Sequence, residues 1–387
     1  MNLARRNLVL AVLAGALAVP TFLQLQKDAE TFVDLSRIPL LFDGFTADNV
    51  AHVVLARPKD EQPAVDPTKP DKRTVAYDTL ALQRTDKGWV VGSMPGQQPG
   101  ESAGAPVQAE RVESDVFHHL RSIRKDREVL VCANATPEQL EQYGLDEGHA
   151  FVLRAQDANL QIVAELMVGK DAGAGQTGSE AVRGVYLRKS DSTDVVLYEF
   201  DKGWRRDVQV QGWFDRTLAR IDTEKVTRLA LRNAAGFGTT FTFAREQGKA
   251  AWVAVDAPAG LGAVRQSEVE NLVQRLRWLT VTEYVKPLQR AGNLEPFGLV
   301  PPQVQVEVTY QEGDQQKLLK LTIGNKVPDK NENYVASSTS AFLMTWAASM
   351  TTPFEVDVKA QWFDPASPPS APQAPGEKSD TGQTPPK

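Results

Sequence analysis

The sequence predicts an α+β protein built as two tandem copies of one unit, each an antiparallel sheet covered by one main helix, after an N-terminal transmembrane helix. Three observations lead to this fold class. The triplet Trp213-Phe214-Asp215 returns as Trp362-Phe363-Asp364. Each triplet closes a stretch in which apolar residues alternate as in strands, with one helical stripe between the strands. An apolar run after Met1 is long enough to cross a membrane.

Seven sequence markers recur in the same order in the two copies. In the first copy they are Val50, Val53 and Leu55, then Gly88-Trp89-Val90, then Val116, Leu120 and Ile123, then Tyr143-Gly144-Leu145, Val168-Gly169, Val185-Tyr186-Leu187 and the triplet. In the second they are Val226, Leu229 and Leu231, then Ala251-Trp252-Val253, then Leu272, Leu276 and Leu279, then Phe297-Gly298-Leu299, Ile323-Gly324, Asn333-Tyr334-Val335 and the triplet. The two corner-to-glycine intervals are 25 and 26 residues. Such steady intervals predict repeats over residues 46–220 and 221–364.

The N-terminal segment, residues 1–26, has Arg5 and Arg6 ahead of an apolar run. A spanning helix needs roughly 20 apolar residues, so the run predicts a single-pass inner-membrane anchor. The paired arginines predict a cytoplasmic N-terminus, which places the bulk of the chain in the periplasm after a linker over residues 27–45. The alternative is a cleaved signal peptide, because Ala16-Leu17-Ala18 fits a cleavage site.

The first half predicts strands on both sides of a helix. Asn49–Leu55 is a β-rich run, Lys59–Arg73 is a proline-rich insertion, and Asp86-Lys87-Gly88 has the chemistry of a hairpin turn. Apolar spacing predicts a helix from about Ala109 to Lys125. Thr136-Pro137 predicts a capped short helix before the first corner.

The second half repeats this pattern. Ser267 and Glu270 form a capping-box pattern at the start of its main helix. Beyond the second corner, Val304–Val308 and Leu318–Ile323 alternate as half-exposed antiparallel strands do. From Pro365 to Lys387 the chain is rich in proline, serine, glycine and charge, which predicts a disordered tail.

Composition excludes nucleic acid as a partner. The formal net charge is −6, and no block of lysine and arginine lies beyond the first residues. Nucleic-acid binding depends on such clustered cations. The only cysteine, Cys132, cannot form an internal disulfide and is interpreted as a small core residue.

Several local patterns imitate chemical sites, but their contexts exclude cofactor and metal binding. Gly173–Gly178 matches a dinucleotide fingerprint, yet it leads into a strand rather than a helix, so we interpret it as a hairpin loop. His118 and His119 are adjacent on a helix and point about 100° apart, so they are interpreted as solvent-facing histidines. Asp329–Asn333 resembles the start of a calcium loop but lacks its glycine and glutamate, which indicates a polar turn.

The repeated aromatic residues have two interpretations. Trp89, Trp252, Trp213 and Trp362 are expected in the core, because both halves must pack in the same way. As repeat markers, Trp213, Phe214, Asp215, Trp362, Phe363 and Asp364 are also the candidate interaction residues. Asp215 and Asp364 are either duplicated functional carboxylates or, as we expect, caps of the turns that end the repeats.

Taken in order, the anchor, the W-V strand, the helix, the Y/F-G-L corner, the strand ending in V/I-G and the tyrosine-centred strand resemble the domain-of-unknown-function 4340 (DUF4340) family of bacterial envelope proteins. The resemblance covers roughly residues 46–364. It implies a protein associated with an ABC-2-type exporter of the gliding-motility kind, and it supplies no catalytic residue.

The sequence therefore predicts a binding protein rather than an enzyme. No nucleophile–base pair, metal cluster or phosphate loop is recognisable in it. We expect an extracytoplasmic accessory subunit whose anchor contacts an ABC-2 permease and ATPase, and whose repeats contact that complex or another envelope protein. The alternatives are a free-standing periplasmic scaffold and an envelope glycan hydrolase that uses scattered carboxylates.

Overall fold

The computed structural model describes residues 39–59, 75–94, 98–125, 130–172, 184–200, 204–233, 238–246, 249–255 and 257–365. The predicted anchor, the glycine-rich loop at 173–178, nearly all of the proline-rich insertion and nearly all of the tail lie outside these residues. Within the described ranges, no helix is both long and apolar enough to cross a membrane.

The chain divides into two compact units. Unit 1 comprises Met1–Leu80 and Glu110–Val208, and unit 2 comprises Ala81–Ala109 and Gln209–Lys387. Most strands of a first sheet lie in unit 1, and a second sheet lies in unit 2.

Strands dominate the described fold. Strands β1–β9 are His52–Pro58, Tyr77–Thr85, Gly88–Val91, Leu130–Cys132, Phe151–Gln156, Ile162–Ala172, Gly184–Lys189, Val195–Glu199 and Thr217–Arg220. Strands β10–β18 are Val226–Asn233, Thr240–Ala244, Val253–Val255, Trp278–Thr280, Glu283–Pro287, Val304–Glu312, Gln315–Lys326, Glu332–Ser337 and Phe342–Ala347.

The two eight-stranded sheets have the same order of strands. The first is β3-β2-β1-β5-β6-β7-β8-β4, and the second is β12-β11-β10-β15-β16-β17-β18-β14. β9 and β13 form a separate two-stranded ribbon. Corresponding strands bury alternate side chains, as in β5 with Phe151 and Leu153 and in β15 with Val304 and Val306. One face of each strand therefore lies in a core.

Short helices complete the α+β fold. Helix α1 comprises Ala109–Val112, a π-helical turn at Glu113–Phe117, and His118–Ser122. Helices α2–α6 are Pro137–Tyr143, Gln266–Arg275, Leu288–Ala291, Ala348–Thr351 and Val358–Trp362. Single 3₁₀ turns are Ala47–Asn49, Val210–Gly212, Thr223–Lys225, Glu295–Phe297 and Thr352–Phe354.

The π-helical turn accounts for a difference of one residue between the two main helices. Val112 of α1 and Val269 of α3 are 157 positions apart, whereas the later buried pair Leu120 and Leu276 is 156 positions apart. The additional residue therefore falls within Glu113–Phe117. A π-turn spaces its hydrogen bonds over one more residue than an α-turn does, so the apolar stripe stays on one face.

The two Y/F-G-L corners fold in the same way. Gly144 and Gly298 have φ of +69° and +66°, a conformation that favours glycine. At Gly169 a Cβ atom would lie 2.3 Å from the carbonyl oxygen of Tyr143, and at Gly324 it would lie 2.0 Å from that of Phe297. Each corner therefore rests directly on the glycine of the V/I-G pair, which lies inside β6 or β16 rather than at the strand end predicted from the sequence.

Of the two helix caps predicted from the sequence, one is present in the structure and one is not. Thr136 and Gln139 form a full capping box at α2, which confirms the predicted cap. The capping box predicted from Ser267 and Glu270 is wrong. Helix α3 begins at Gln266, and Glu270 accepts hydrogen bonds from Trp252 Nε1 (3.1 Å) and Gln274 instead. The Glu270 carboxylate is thus held by these side chains rather than by the backbone at the helix start.

Candidate functional site

Each W-F-D triplet lies beside the residues that enter the main helix of its half. In unit 2, Gln108 N donates to Trp213 O (2.9 Å), and Asp215 N donates to Pro106 O (2.9 Å). The second triplet repeats this geometry, with Arg265 N to Trp362 O (2.8 Å) and Asp364 N to Ala263 O (2.8 Å). The backbone of each triplet thus holds the residues that precede α1 and α3, with Trp213 in a helical conformation and Trp362 as the last residue of α6.

The aromatic members of the triplets are buried. These buried residues are Trp213, Phe214, Trp362 and Phe363, and Trp89 and Trp252 are buried as well. The expectation that the repeated tryptophans belong to the core is confirmed. These six side chains supply packing area rather than an open binding surface.

The two aspartates of the triplets differ. Asp215 Oδ1 accepts a hydrogen bond from Thr217 N (2.9 Å), which confirms its predicted role as a turn cap. Asp364 Oδ1 accepts from Arg265 Nε (3.1 Å) and is exposed. Neither carboxylate lies in a described cluster of metal-ligating side chains.

The solvent-facing interpretation of the histidine pair is wrong for His119, which is only 2% exposed. Its ring stacks on Trp204 at 4.2 Å between centroids, and Nδ1 lies 3.1 Å from the Tyr198 hydroxyl. Trp204 Nε1 in turn donates to Asp115 O (2.9 Å). The partners are far from His119 in the chain, so helical periodicity alone does not reveal them.

A buried ion pair lies in the π-helical turn beside His119. Arg111 Nε donates to Asp115 Oδ2 (3.1 Å), and Arg111 Nη2 lies 3.3 Å from Asp207 Oδ2. Arg111 and Asp115 are both buried. These side chains tie α1 to the segment after β8.

The feature best suited to binding is a cleft of about 770 Å³ in unit 1, here called the β4 cleft. It is lined by Pro39, Leu40, Leu41, Asp43, Lys125, Leu130, Arg188, Lys189, Asp191, Ser192, Asp194 and Val196. β4 is the last strand of the first sheet, and two of its side chains, Leu130 and Val131, are exposed. An edge strand with exposed apolar side chains is a typical docking place for other proteins.

Most charged groups around the β4 cleft serve the fold. Arg188 donates to the carbonyl oxygens of Leu145 (3.1 Å) and Ser192 (3.2 Å), and burial lowers the pKa of its guanidinium. Asp194 Oδ1 accepts from Asn134 N (3.0 Å). Lys189 and Asp191 form an ion pair, with Nζ and Oδ2 3.3 Å apart.

Lys125 differs from these charged groups. It is exposed at the rim of the cleft, and within the described ranges no carboxylate is in ion-pair distance of it. Its backbone N–H donates to Pro39 O (2.8 Å). Among the described lining residues the cleft thus combines an apolar floor with an exposed cation, Lys125, and an exposed carboxylate, Asp43.

The second sheet covers the position that corresponds to the β4 cleft. Leu130 pairs with Val196 just before a bulge in β4, and Tyr284 pairs with Met344 just before a bulge in β14. Leu130 and Tyr284 therefore hold the same place in the two sheets. Leu130 is 39% exposed, whereas Tyr284 is 4% exposed.

Phe214 of the first triplet provides the cover in unit 2. Its ring meets Tyr284 edge-on at 5.2 Å between centroids, and the Tyr284 hydroxyl donates to Asp215 O (2.8 Å). The Phe342 ring packs on the other side at 5.5 Å. Burial, reinforced by the Asp215 carboxylate, raises the pKa of Tyr284 to about 12.

Backbone pairing beside the two positions is also the same. Leu40 bridges Arg124 in unit 1 as Thr217 pairs with Thr280 in unit 2. By this correspondence Lys125 takes the place of Val281, which is buried. The cation at the cleft rim is therefore a feature of unit 1 alone.

Part of the chain matches a known protein family. The family described as "Domain of unknown function (DUF4340)" matches residues 100–291, just under half of the chain. This match supports the resemblance to the DUF4340 family that the sequence motifs indicate. The match is shorter at both ends than the expected residues 46–364. No match was found among curated proteins or among solved structures.

The DUF4340 match contains the elements that form both edges. It includes β4 with Leu130, the triplet with Phe214, and β14 with Tyr284. Pro39–Asp43 of the cleft and the second triplet lie outside it. Within the described residues no group of His, Cys, Asp and Glu side chains is suited to a metal ion.

Proposed function

We propose that this protein is a membrane-anchored, extracytoplasmic binding subunit of an ABC-2-type, gliding-motility-like envelope transporter complex. The observation that carries the binding role is the open β4 cleft at an edge position that the second sheet covers with Phe214. The link to a transporter rests on the family resemblance, and the anchor rests on residues 1–26 of the sequence.

We also infer that the chain is a duplication of one unit. The support is the shared order of strands, the equal corners at Gly144 and Gly298, and the equal hydrogen bonds of the two triplets. In unit 2 the cover comes from the W-F-D triplet that ends the first repeat, and no W-F-D triplet occurs in residues 1–38.

The proposed anchor would place the cleft close to the membrane. Twelve residues, 27–38, separate the apolar run from Pro39, which lines the cleft. At the extended limit these residues reach about 40 Å. The cleft then lies within range of the extracytoplasmic portion of a permease.

Binding, not catalysis, is the proposed activity of the cleft. Arg188 and Asp194 are held by backbone groups, and Lys189 is paired with Asp191. Such partners fix the walls of a site and leave few groups for proton transfer.

Photo-cross-linking from the cleft tests the proposed function. Cys132 is the only cysteine, so the Cys132→Ala, Leu130→Cys variant takes a single benzophenone label. In native membranes we expect mass spectrometry to identify an ABC permease or ATPase in the cross-linked product. The matched control is Cys132→Ala, Leu318→Cys, because Leu318 is an exposed leucine on β16.

Two results would contradict the proposed function. Recovery of other envelope proteins without permease or ATPase would leave the free-standing scaffold. An inactive alkaline phosphatase fused after Asp364 would exclude the extracytoplasmic location.

A further inference from the structure

Unit 2 shows how this fold fills the edge position that is open in unit 1. An extended segment brings an aromatic ring, Phe214, edge-on against Tyr284, and the next residue is an aspartate. The segment enters through a backbone pair, Val281 N to Arg216 O (2.8 Å). Phe214 is thereby almost fully buried.

The β4 cleft has the space and the surface for a similar ring. Its volume of about 770 Å³ lies within the roughly 300–1,000 Å³ of typical ligand sites. Its floor includes Leu130 where unit 2 has Tyr284, and a leucine is smaller and has no hydroxyl to satisfy. An apolar ring can therefore bury the exposed leucine without leaving a polar group unpaired.

The rim of the cleft adds a charge preference. Lys125 stands where unit 2 has the buried Val281, and within the described residues it has no carboxylate partner. A carboxylate beside the incoming ring would meet this cation. Charge complementarity of this kind selects partners and speeds association.

From these observations we propose that the β4 cleft binds an extended segment of a partner protein in which an aromatic residue is followed by Asp or Glu. This inference deepens the proposed function and rests on it, because it names the chemistry of the docked segment. Phe214-Asp215 is the internal example of that chemistry.

The test uses the full-length protein in detergent and a fluorescein-labelled peptide with the sequence of residues 210–217, followed by fluorescence anisotropy. We expect saturable binding. Replacing the peptide phenylalanine with alanine should weaken binding about tenfold or more, since buried aromatic anchors dominate such contacts. Replacing the peptide aspartate with lysine should weaken it about threefold to tenfold, with the loss shrinking at high salt.

Variants of the protein locate the site. Leu130→Arg should abolish peptide binding, whereas Leu318→Arg, an equal change at an exposed position of β16 in unit 2, should leave it unchanged. Lys125→Glu should reproduce the loss seen with the lysine peptide. Circular dichroism and urea unfolding verify that each variant is folded.

Several outcomes would overturn the inference. They are absence of binding, equal binding of the alanine peptide, and binding that Leu130→Arg leaves intact. Cross-links from position 130 to the same chain ahead of Pro39, or to a second copy of the chain, would also overturn it.

The proposed ligand class and the proposed transporter role can be rejected independently, because different experiments test them. A permease cross-linked at position 130 without peptide binding would keep the role and reject the aromatic–acidic segment. Specific peptide binding without a transporter component would keep the ligand class and reject the role.

Discussion

The edges formed by β4 and β14 hold the same place in two sheets of the same strand order, yet within the described residues only the β14 edge is covered. At β14, Tyr284 lies under Phe214 and donates to Asp215 O. At β4, Leu130 opens onto a cleft of about 770 Å³ with Lys125 at its rim. The comparison teaches that two sheets can share one strand order and still differ in what covers their edges.

The largest expected effect comes from removing the Phe214 ring that covers the β14 edge. Phe214→Ala should destabilise the protein by about 3–5 kcal/mol, the usual cost of truncating a buried phenylalanine. Leu130→Ala should cost less than about 1 kcal/mol, because that leucine is 39% exposed. Urea unfolding of the two variants measures the difference, and equal losses would show that the β4 edge is covered too.

Substituting the glycines under the two corners tests whether the two copies are structurally equivalent. Gly169→Ala and Gly324→Ala should each destabilise by about 2–3 kcal/mol, since the new Cβ would collide with a backbone carbonyl oxygen. Gly100→Ala is the control, because a Cβ there meets nothing within 4 Å. Thermal unfolding reports all three. A large loss at only one corner would contradict their equivalence.

The ion pairs near the two main helices differ in burial, and the difference can be measured. Asp115→Asn should cost about 1–2 kcal/mol, less than a fully broken buried pair, because Arg111 keeps Asp207 as a partner. Asp364→Asn, at the exposed pair with Arg265, should cost about 0–1 kcal/mol. Chemical unfolding compares them. An equal loss of stability would show that the buried Arg111–Asp115 pair contributes no more than the exposed Arg265–Asp364 pair.

The smallest expected effect is a pH dependence at β14. Because the folded-state pKa of Tyr284 is raised to about 12, its contribution is fully present below the ordinary value of 10 and is lost as pH rises toward 12. Tyr284→Phe should cost about 1 kcal/mol at neutral pH and make stability fall less steeply above pH 10. An unchanged slope would contradict burial of this hydroxyl.

The sequence predicted what is local and repeated. The α+β class, the capped α2 and the turn at Asp215 follow from short patterns, and the paired glycines Gly169 and Gly324 have a structural reason that their spacing already marked. Burial of His119 was missed because its partners Tyr198 and Trp204 come from distant positions.

The candidate site was not predictable in the same way. The β4 cleft joins segments near Leu40, Lys125 and Arg188, which no periodicity connects. The contrast that makes it informative, Leu130 against Tyr284, needs the register of β4 on β8 and of β14 on β18. The sequence signal lies in the repeat itself: a W-F-D triplet precedes the second copy, and residues 1–38 contain no such triplet.

The most direct test of the account is the rate at which a maleimide reagent modifies a single cysteine at each edge position. In a Cys132→Ala background, Leu130→Cys should react at least about tenfold faster than Tyr284→Cys in the purified full-length protein, as an exposed thiol does relative to a buried one. In native membranes the position-130 thiol should become protected and the position-284 thiol should stay slow. Equal, slow labelling of both thiols in the purified protein would contradict an open cleft, and fast labelling at position 130 in native membranes would contradict a bound partner.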